Sequence, residues 1–415
     1  MSATRFGALA LDALAFGALA ACTPLIGLDH DYYVGAGGSG GAGAAAGMAA
    51  GAGGMVDAGG VTNAGGVTDA GGVTDAGGLA NMAGTAGAGI GIPNAPPTGK
   101  LVYHRYTTYD ASDSEMFVVD LPAGTRSPEL GNAFGICDLM AGSFSPDGNQ
   151  LAVTARPKTG AACPTGMKRS ELEVYLLDLT TLGGVPTAFR VTNNTVPDED
   201  PQFAPSGDFL LLKHDGHLAK WTLGSVPFTM CALHPAGTFC FITTGSEESK
   251  PVITNDEALI CYYEKSEENS DVFCFDAAKG AAGQDIFASS TPAAAHPHIS
   301  EARPMIAGEW LYYARWFSAS DHIDRVFRKP VGSLTLALEK SAQFQHNEVE
   351  QAYDYSDPSV IDGDLLVISC DATGLGLHDL FLANFKGDDL LTFDAWVPGL
   401  NSAKDELGPS FWRKP

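Results

Sequence analysis

Phe144-Ser145-Pro146-Asp147-Gly148, followed by Leu151-Ala152-Val153-Thr154-Ala155, is the stretch that decides the fold. Pro presets φ, Asp bonds its own backbone and Gly accepts positive φ, so the phrase is a tight reversal that feeds a strand of alternating apolar residues. It returns at Phe203–Gly207 as FAPSG before FLLLK. Weaker copies open at Pro251, Pro304, Pro358 and Pro409, where the turn has decayed and the flanking strands survive. Counted from Gly142 and Pro201 onward, the starts recur roughly every 50 to 60 residues, the length of a four-stranded propeller blade.

Within one period the turn is followed by a strand, a variable polar loop and a second strand that ends in an Asp-Leu-like signal: Met116–Leu121 (MFVVDL), Val174–Leu179 (VYLLDL) and Val272–Asp276 (VFCFD). Each period is therefore a small antiparallel meander. Such a sheet cannot bury both faces alone, so neighbours must stack around a common axis. Residues 99–130 hold LVYHRY and MFVVDL without a preceding Pro-containing strand, and residues 405–413 (DELGPSFWR) are that missing strand. The last residues are expected to complete the first blade.

The expected fold is all-β, a six-bladed β-propeller: 99–133 with 405–415, then 134–196, 197–245, 246–294, 295–348 and 349–400. Seven blades is the competing count, because LHPAGTFCFITT at Leu233–Thr244 also reads as turn plus strand. It follows Pro201 by only about 30 residues, too few for a whole blade, and is assigned to an outer-strand hairpin.

Asp138–Gly148 and Asp198–Gly207 resemble the repeat of the TolB-like (WD40-like) family of six-bladed propellers, whose blades commonly open D-x-x-P-x-F-S-P-D-G. The resemblance covers residues 99–415 and implies the propeller fold. Neither the small α/β domain that precedes the propeller in TolB nor the hydrolase domain that accompanies similar blades in prolyl oligopeptidases has a counterpart here. The roles of those proteins do not carry over, and the chain is expected to end with its propeller.

Residues 1–21 read as a signal peptide, with Arg5, an apolar stretch from Phe6 to Ala21 and small residues before Cys22. Leu19-Ala20-Ala21-Cys22 looks like a bacterial lipobox, which implies lipidation at Cys22; Asp12 within the apolar stretch departs from the pattern. Thr23 stands where Asp often retains such proteins in the inner membrane. The resemblance therefore implies lipid anchoring at the outer membrane or cell surface, on the periplasmic side or the exterior.

Residues 22–98 carry the anchor and a Gly/Ala-rich segment in which AGGVTN, AGGVTD, AGGVTD and AGGLAN recur from Ala58. Without apolar bulk such a segment cannot offset its ordering entropy, and it reads as a disordered tether. As a Gly-rich coil its span is roughly 45 Å. Gly37–Gly41 (GGSGG) matches the esterase nucleophile pattern only because nearly everything around it is Gly.

The formal charge is −25, most of it in the propeller. Nucleic acid, which needs a basic footprint, is excluded as a partner, and so is bare anionic lipid. Of the eight cysteines, Cys22 is the lipid site. Cys261 and Cys274 fall on two arms of a hairpin, Cys231 and Cys240 flank His234–Gly237, and Cys137 with Cys163 could bridge within one blade. Cys370 is left single. Spacing does not fix connectivity, so the alternative of buried thiols stays open.

In an outward-running meander, the start of the first strand and the loop between second and third strands lie at one end. That end is expected to bind. Asp200, Lys250, Arg303 and Asp357 ring the channel mouth there, with Ala141 and Gly408 completing the set. Four charges of mixed sign either orient a polar ligand or peptide terminus or pair with one another. Lys158–Arg169, Ser266–Asp271, Ser318–Asp324 and Ala372–Leu377 are the loops at that end.

His296, His298 and His322 are the residues on which a divalent metal could sit, the requirement of a polysaccharide-acting, lyase-like enzyme. No H-E-x-x-H, P-loop or kinase phrase occurs, and Glu267-Glu268 and Asp388-Asp389 sit in polar loops. The reading is a lipoprotein whose propeller binds a cell-envelope protein or peptide, or glycan, without catalysis and without a cofactor. The metal-dependent enzyme is the alternative.

Overall fold

The computed structural model describes residues 91–107, 113–160, 162–166, 168–223, 239–243, 247–265, 270–277, 300–316, 325–331, 342–344, 355–371, 378–387 and 389–415. Among these residues there are six antiparallel sheets, each wound from an inner strand outward. The chain is an all-β propeller.

Blade one runs Asp405–Arg413, Gly99–Tyr106, Glu115–Leu121, Thr125–Arg126, so the last strand of the chain is the innermost strand of the first sheet. Blade two runs Ile136–Phe144, Gln150–Pro157, Glu173–Asp178, Thr187–Arg190. Blade three runs Asp198–Phe203, Phe209–His214, His217–Thr222, Phe239–Phe241, and blade four Glu248–Ile253, Leu259–Lys265, Ser270–Asp276. Blade five is Ser300–Ala307, Trp310–Trp316, Arg325–Pro330, Ala342–Gln343; blade six is Tyr355–Asp362, Leu365–Cys370, Asp379–Asn384, Asp389–Thr392. Phe239–Phe241 is thus the outer strand of blade three and not the start of another blade. Each inner strand touches the inner strand of the next blade, and the last touches the first, which closes the ring.

Period-two alternation explains the packing. Leu101 and Tyr103 point into a cluster shared with Val367, Leu380 and Leu382 of blade six, while Val102 between them joins Leu139, Leu151 and Val153 of blade two. Leu311 and Tyr313 face blade four, and Tyr312 faces blade six. Every sheet therefore buries both faces, each against a different neighbour, and the core is a ring of interfaces. No helix among the described residues is long and apolar enough to cross a membrane.

The turn phrase is built as its residues dictate. The Ser145 hydroxyl donates to Asp147 Oδ1 at 2.6 Å, Asn149 N donates to the same oxygen at 3.0 Å, and Gly148 takes φ +69°. Its apparently decayed copy in blade four keeps the same device: the Thr254 hydroxyl donates to Asp256 Oδ1 at 2.6 Å, with Glu257 at φ +57° where Gly stood. Blades five and six use tighter reversals through Gly308 and Gly363, both at positive φ. The first turn also serves the closure. The Trp412 indole lies over Gly148 and donates to the Pro146 carbonyl at 2.9 Å, and Lys100 Nζ reaches the Gly148 carbonyl at 2.6 Å.

Candidate binding site in the channel

Every inner strand is interrupted at the same place. In blade three, Glu199 pairs with Lys213 and Gln202 with Leu211, so three steps on the inner strand oppose two on its partner. The same one-residue excess occurs in the other five blades. The extra residues are Ala141, Asp200, Lys250, Arg303, Asp357 and Gly408, with φ between +47° and +54°. These are β-bulges, which bend the strand and turn its side chain off the ladder. A proline follows in five blades (Pro201, Pro251, Pro304, Pro358, Pro409) and Gly142 in the remaining one. An inner strand is a sheet edge, where a missing N–H is tolerated and discourages further pairing.

The four charged residues expected at the channel mouth therefore lie within the inner strands, not at their start. They line the channel wall together with Ala141 and Gly408. They also pair: Lys250 Nζ lies 3.5 Å from Asp200 Oδ1, and Arg303 Nε lies 3.1 Å from Asp357 Oδ1. Asp200 Oδ2 accepts from Lys250 N at 3.3 Å, and Asp357 Oδ2 from Gly408 N at 3.1 Å, so each acid also satisfies a backbone donor of the adjacent blade. Asp357 feels opposing effects. Burial pushes its carboxyl up, and Arg303, Lys250 and His104 hold it below the usual carboxylate range.

Two cavities flank this ring. One, of about 640 Å³ and open to solvent, is lined by the ring residues and those just after them, among them Pro251, Pro304 and Ser359. Since inner strands run toward the Pro-Asp-Gly turns, this cavity lies on the turn side of the ring. The other, of about 480 Å³, is lined by Met140, Glu199 and Ser249 just before the bulges and by His104, Lys213 and Arg169. It lies on the loop side.

Arg169 comes from the Lys158–Arg169 loop of blade two and reaches across to Glu199 Oε2 (2.9 Å) and Glu247 Oε2 (3.3 Å). Lys213 Nζ meets the same Glu247 at 3.0 Å and donates to the Ser249 hydroxyl at 3.0 Å. Burial raises Glu247, yet Lys213 and Arg169 outweigh it and keep the carboxyl below its ordinary value. The loop itself is pinned by the Cys137–Cys163 disulfide and by Arg156, which donates to the Gly166 carbonyl at 2.7 Å and the Pro164 carbonyl at 3.1 Å.

His104 packs under the Gly408 bulge. Burial, opposed by Asp357 and reinforced by Lys250, lowers its pKa to about 4, so it is neutral at pH 7. A Cβ on Gly408 would fall 2.2 Å from His104 Cε1. Ala141 tolerates the same φ in blade two, so the imidazole, more than the backbone, requires glycine here. Gly408→Ala is expected to cost about 2 kcal/mol, strain plus displacement of the ring. Adding His104→Ala should return much of that in chemical denaturation, and no rescue would mean that the backbone alone decides.

The other candidates divide by position. Cys261 and Cys274 are bonded across facing strands of blade four. Cys240 is disulfide-bonded, while Cys231, expected opposite it, lies outside the described residues. Cys370 is buried. Cys22, His296, His298 and His322 lie outside the described residues, as do 266–269, 318–324 and 372–377 of the candidate loops. Among the described residues no group of three or more His, Cys, Asp or Glu side chains is placed to hold a metal.

Sequence reading named Arg169 within a candidate loop but missed Glu199, Lys213 and His104, because their meeting depends on how far one blade's loop leans over the next. It also passed over the Asp that heads the repeat. Asp198 is fully buried, accepts from Asn194 Nδ2 at 2.6 Å and meets His214 Nδ1 at 2.5 Å, tying the inner strand to its neighbour.

No protein-family model matches the sequence, and no curated protein matches it. Among solved structures the chain is similar to TolB from Acinetobacter baumannii, at 14% identity and a TM-score of 0.50, over 75% of this chain and 66% of that one. It is similar also to the hydrazine synthase of Kuenenia stuttgartiensis, at 11% identity and a TM-score of 0.53, over 76% of this chain and 47% of that one. The chain thus spans just under two thirds of the first and about half of the second. At these identities the likeness is one of fold.

Proposed function

We propose that this TolB-like propeller is a non-enzymatic binding module that holds a peptide or a segment of a cell-envelope protein in its channel. The observation that carries the reading is the bulge ring. It projects two acids and two bases into one open channel, in two ion pairs that leave no net charge. An extended peptide presents donors, acceptors and terminal charges of both signs along one line, which such a wall complements; a polyanion or polycation would find half of it repulsive. The cavity beside the ring is open to solvent, so the wall is reachable from outside. Lipidation at Cys22 and a long tether would place the propeller at the outer membrane or cell surface.

The test uses the full chain against an array of immobilised random peptides beside a glycan array. Wild type is expected to capture peptides, and Lys250→Met or Arg303→Met to weaken capture at least tenfold, about 1.4 kcal/mol. The exchange Asp200→Lys with Lys250→Asp keeps a pair while reversing its direction, and should change which peptides are held. Equal capture by all these variants, or capture of glycans alone, would sink the reading.

A further inference from the structure

In blade one the base that repetition would set against the inner strand's buried acid is turned elsewhere. In blades two, three and five a buried acid near the start of the inner strand is met by a base on the second strand: Asp138 by Arg156, Asp198 by His214, Glu301 by Arg315. Glu248 of blade four takes the Leu218 N–H and the Thr243 hydroxyl instead. In blade one the corresponding acid is Glu406, fully buried on the closing strand, and Arg105 stands directly opposite it in register.

Arg105, however, turns its Nε to Glu115 Oε2 at 2.6 Å, and Lys404 Nζ meets the same oxygen at 2.9 Å. Glu406 is left with the Ser402 hydroxyl at 2.6 Å and the Ser402 N–H at 3.3 Å. Across the seam it faces a second acid, Asp379, which opens the third strand of blade six and is 1% exposed. Neither carboxyl oxygen of Asp379 has a hydrogen-bond partner among the described residues.

We propose that Asp379 and Glu406 form a proton-dependent clasp at the ring's seam: one proton between the two carboxyls joins blade six to the closing strand, and its loss drives them apart. The position makes the clasp consequential. Asp405, beside Glu406, accepts from His378 N at 2.8 Å, and Glu406 N donates to the His378 carbonyl at 2.8 Å, so the pair sits where the closing strand is sewn to blade six. Two residues further along the strand is Gly408 of the bulge ring.

The surrounding charges favour retention of the proton. Burial is the largest influence on Asp379; Glu406 and His378 act against it, Asp394 and Asp405 add to it, and the carboxyl is pushed up to about 6. Glu406 is pushed to about 7, again chiefly by burial, with Ser402 opposing and Asp379 adding to it. From the blade-one side Tyr103 feels Arg126, Arg105 and Glu406. The two acids titrate as a coupled pair. Both lie above the ordinary carboxylate range, so the folded ring binds the extra proton. Stability from the clasp is full below about pH 4 and is lost as pH rises through about 6 to 7.

Hydrogen exchange of the full chain, read on the peptide covering Asp405–Arg413 and corrected for the intrinsic rate, tests this. Opening of that strand should be about 100-fold more frequent at pH 8 than at pH 4.5, two pKa units' worth. Asp379→Asn and Glu406→Gln should each remove most of that dependence and slow exchange at pH 8. The wild-type measurement stands even where a variant fails to fold. An exchange profile that is flat with pH in wild type, or that keeps its slope in both variants, would overturn the clasp.

Discussion

A chain ended after Lys404 is expected to lose cooperative folding altogether. Asp405–Arg413 supplies the inner strand of blade one, in register with Gly99–Tyr106, and touches the inner strands of both blade six and blade two. Without it, the cluster around Leu101, Tyr103 and Val367 opens at the channel, and Trp412 no longer covers the Gly148 turn. A domain's net stability is only about 5–15 kcal/mol, and removal of one blade's core strand forfeits ladder bonds and two seams at once. Thermal unfolding followed by near-ultraviolet circular dichroism should lose its sigmoidal transition. A synthetic peptide spanning Asp405–Pro415 should restore it when added in trans. A truncated chain that melts as sharply as the intact one would show that the ring does not depend on this closure.

Arg156→Met is expected to be the most damaging single substitution among the buried charges, at about 3–5 kcal/mol. Arg156 is fully buried; its Nε donates to Asp138 Oδ2 at 2.5 Å while its other nitrogens hold the Pro164 and Gly166 carbonyls. Methionine fills the stem's volume but leaves a buried acid and two carbonyls without donors. Asp138 partly compensates by protonation, since burial already raises it against the pull of Arg156. The double variant Arg156→Met with Asp138→Leu removes the stranded acid and should recover at least half of the loss in urea denaturation. A single-variant cost under about 1 kcal/mol would mean that the pair contributes little beyond solvated charge.

Both expectations bear on how much of this molecule its sequence discloses. The strand order, the closure by DELGPSFWR and the turn chemistry of FSPDG follow from local rules: period-two alternation, Pro and Gly dihedrals, and a missing strand at one end matched by an extra one at the other. The ring positions were legible by the same route, because the residue before each recurrent proline must differ from its neighbours. Their meaning was not. A bulge is a mismatch between two strands, and one strand's sequence does not reveal it; Asp200 and Asp357 read as rim charges until the register places them in the channel wall.

Glu406 shows the same limit from the other side. In sequence it is one more acid in an acidic chain, and Arg105 is the partner that repetition would assign it. Only the packed ring shows that Glu115 draws Arg105 away and that Asp379, 27 residues earlier, faces Glu406 across the seam. Sequence by itself determined that this protein is a ring of meanders sealed by its own last strand, because backbone dihedrals and apolar periodicity act between near neighbours in the chain. Which charges pair, which stay protonated and which face the channel was decided by the tertiary structure, because electrostatic interactions depend on distance and burial, and those exist only once the blades have closed.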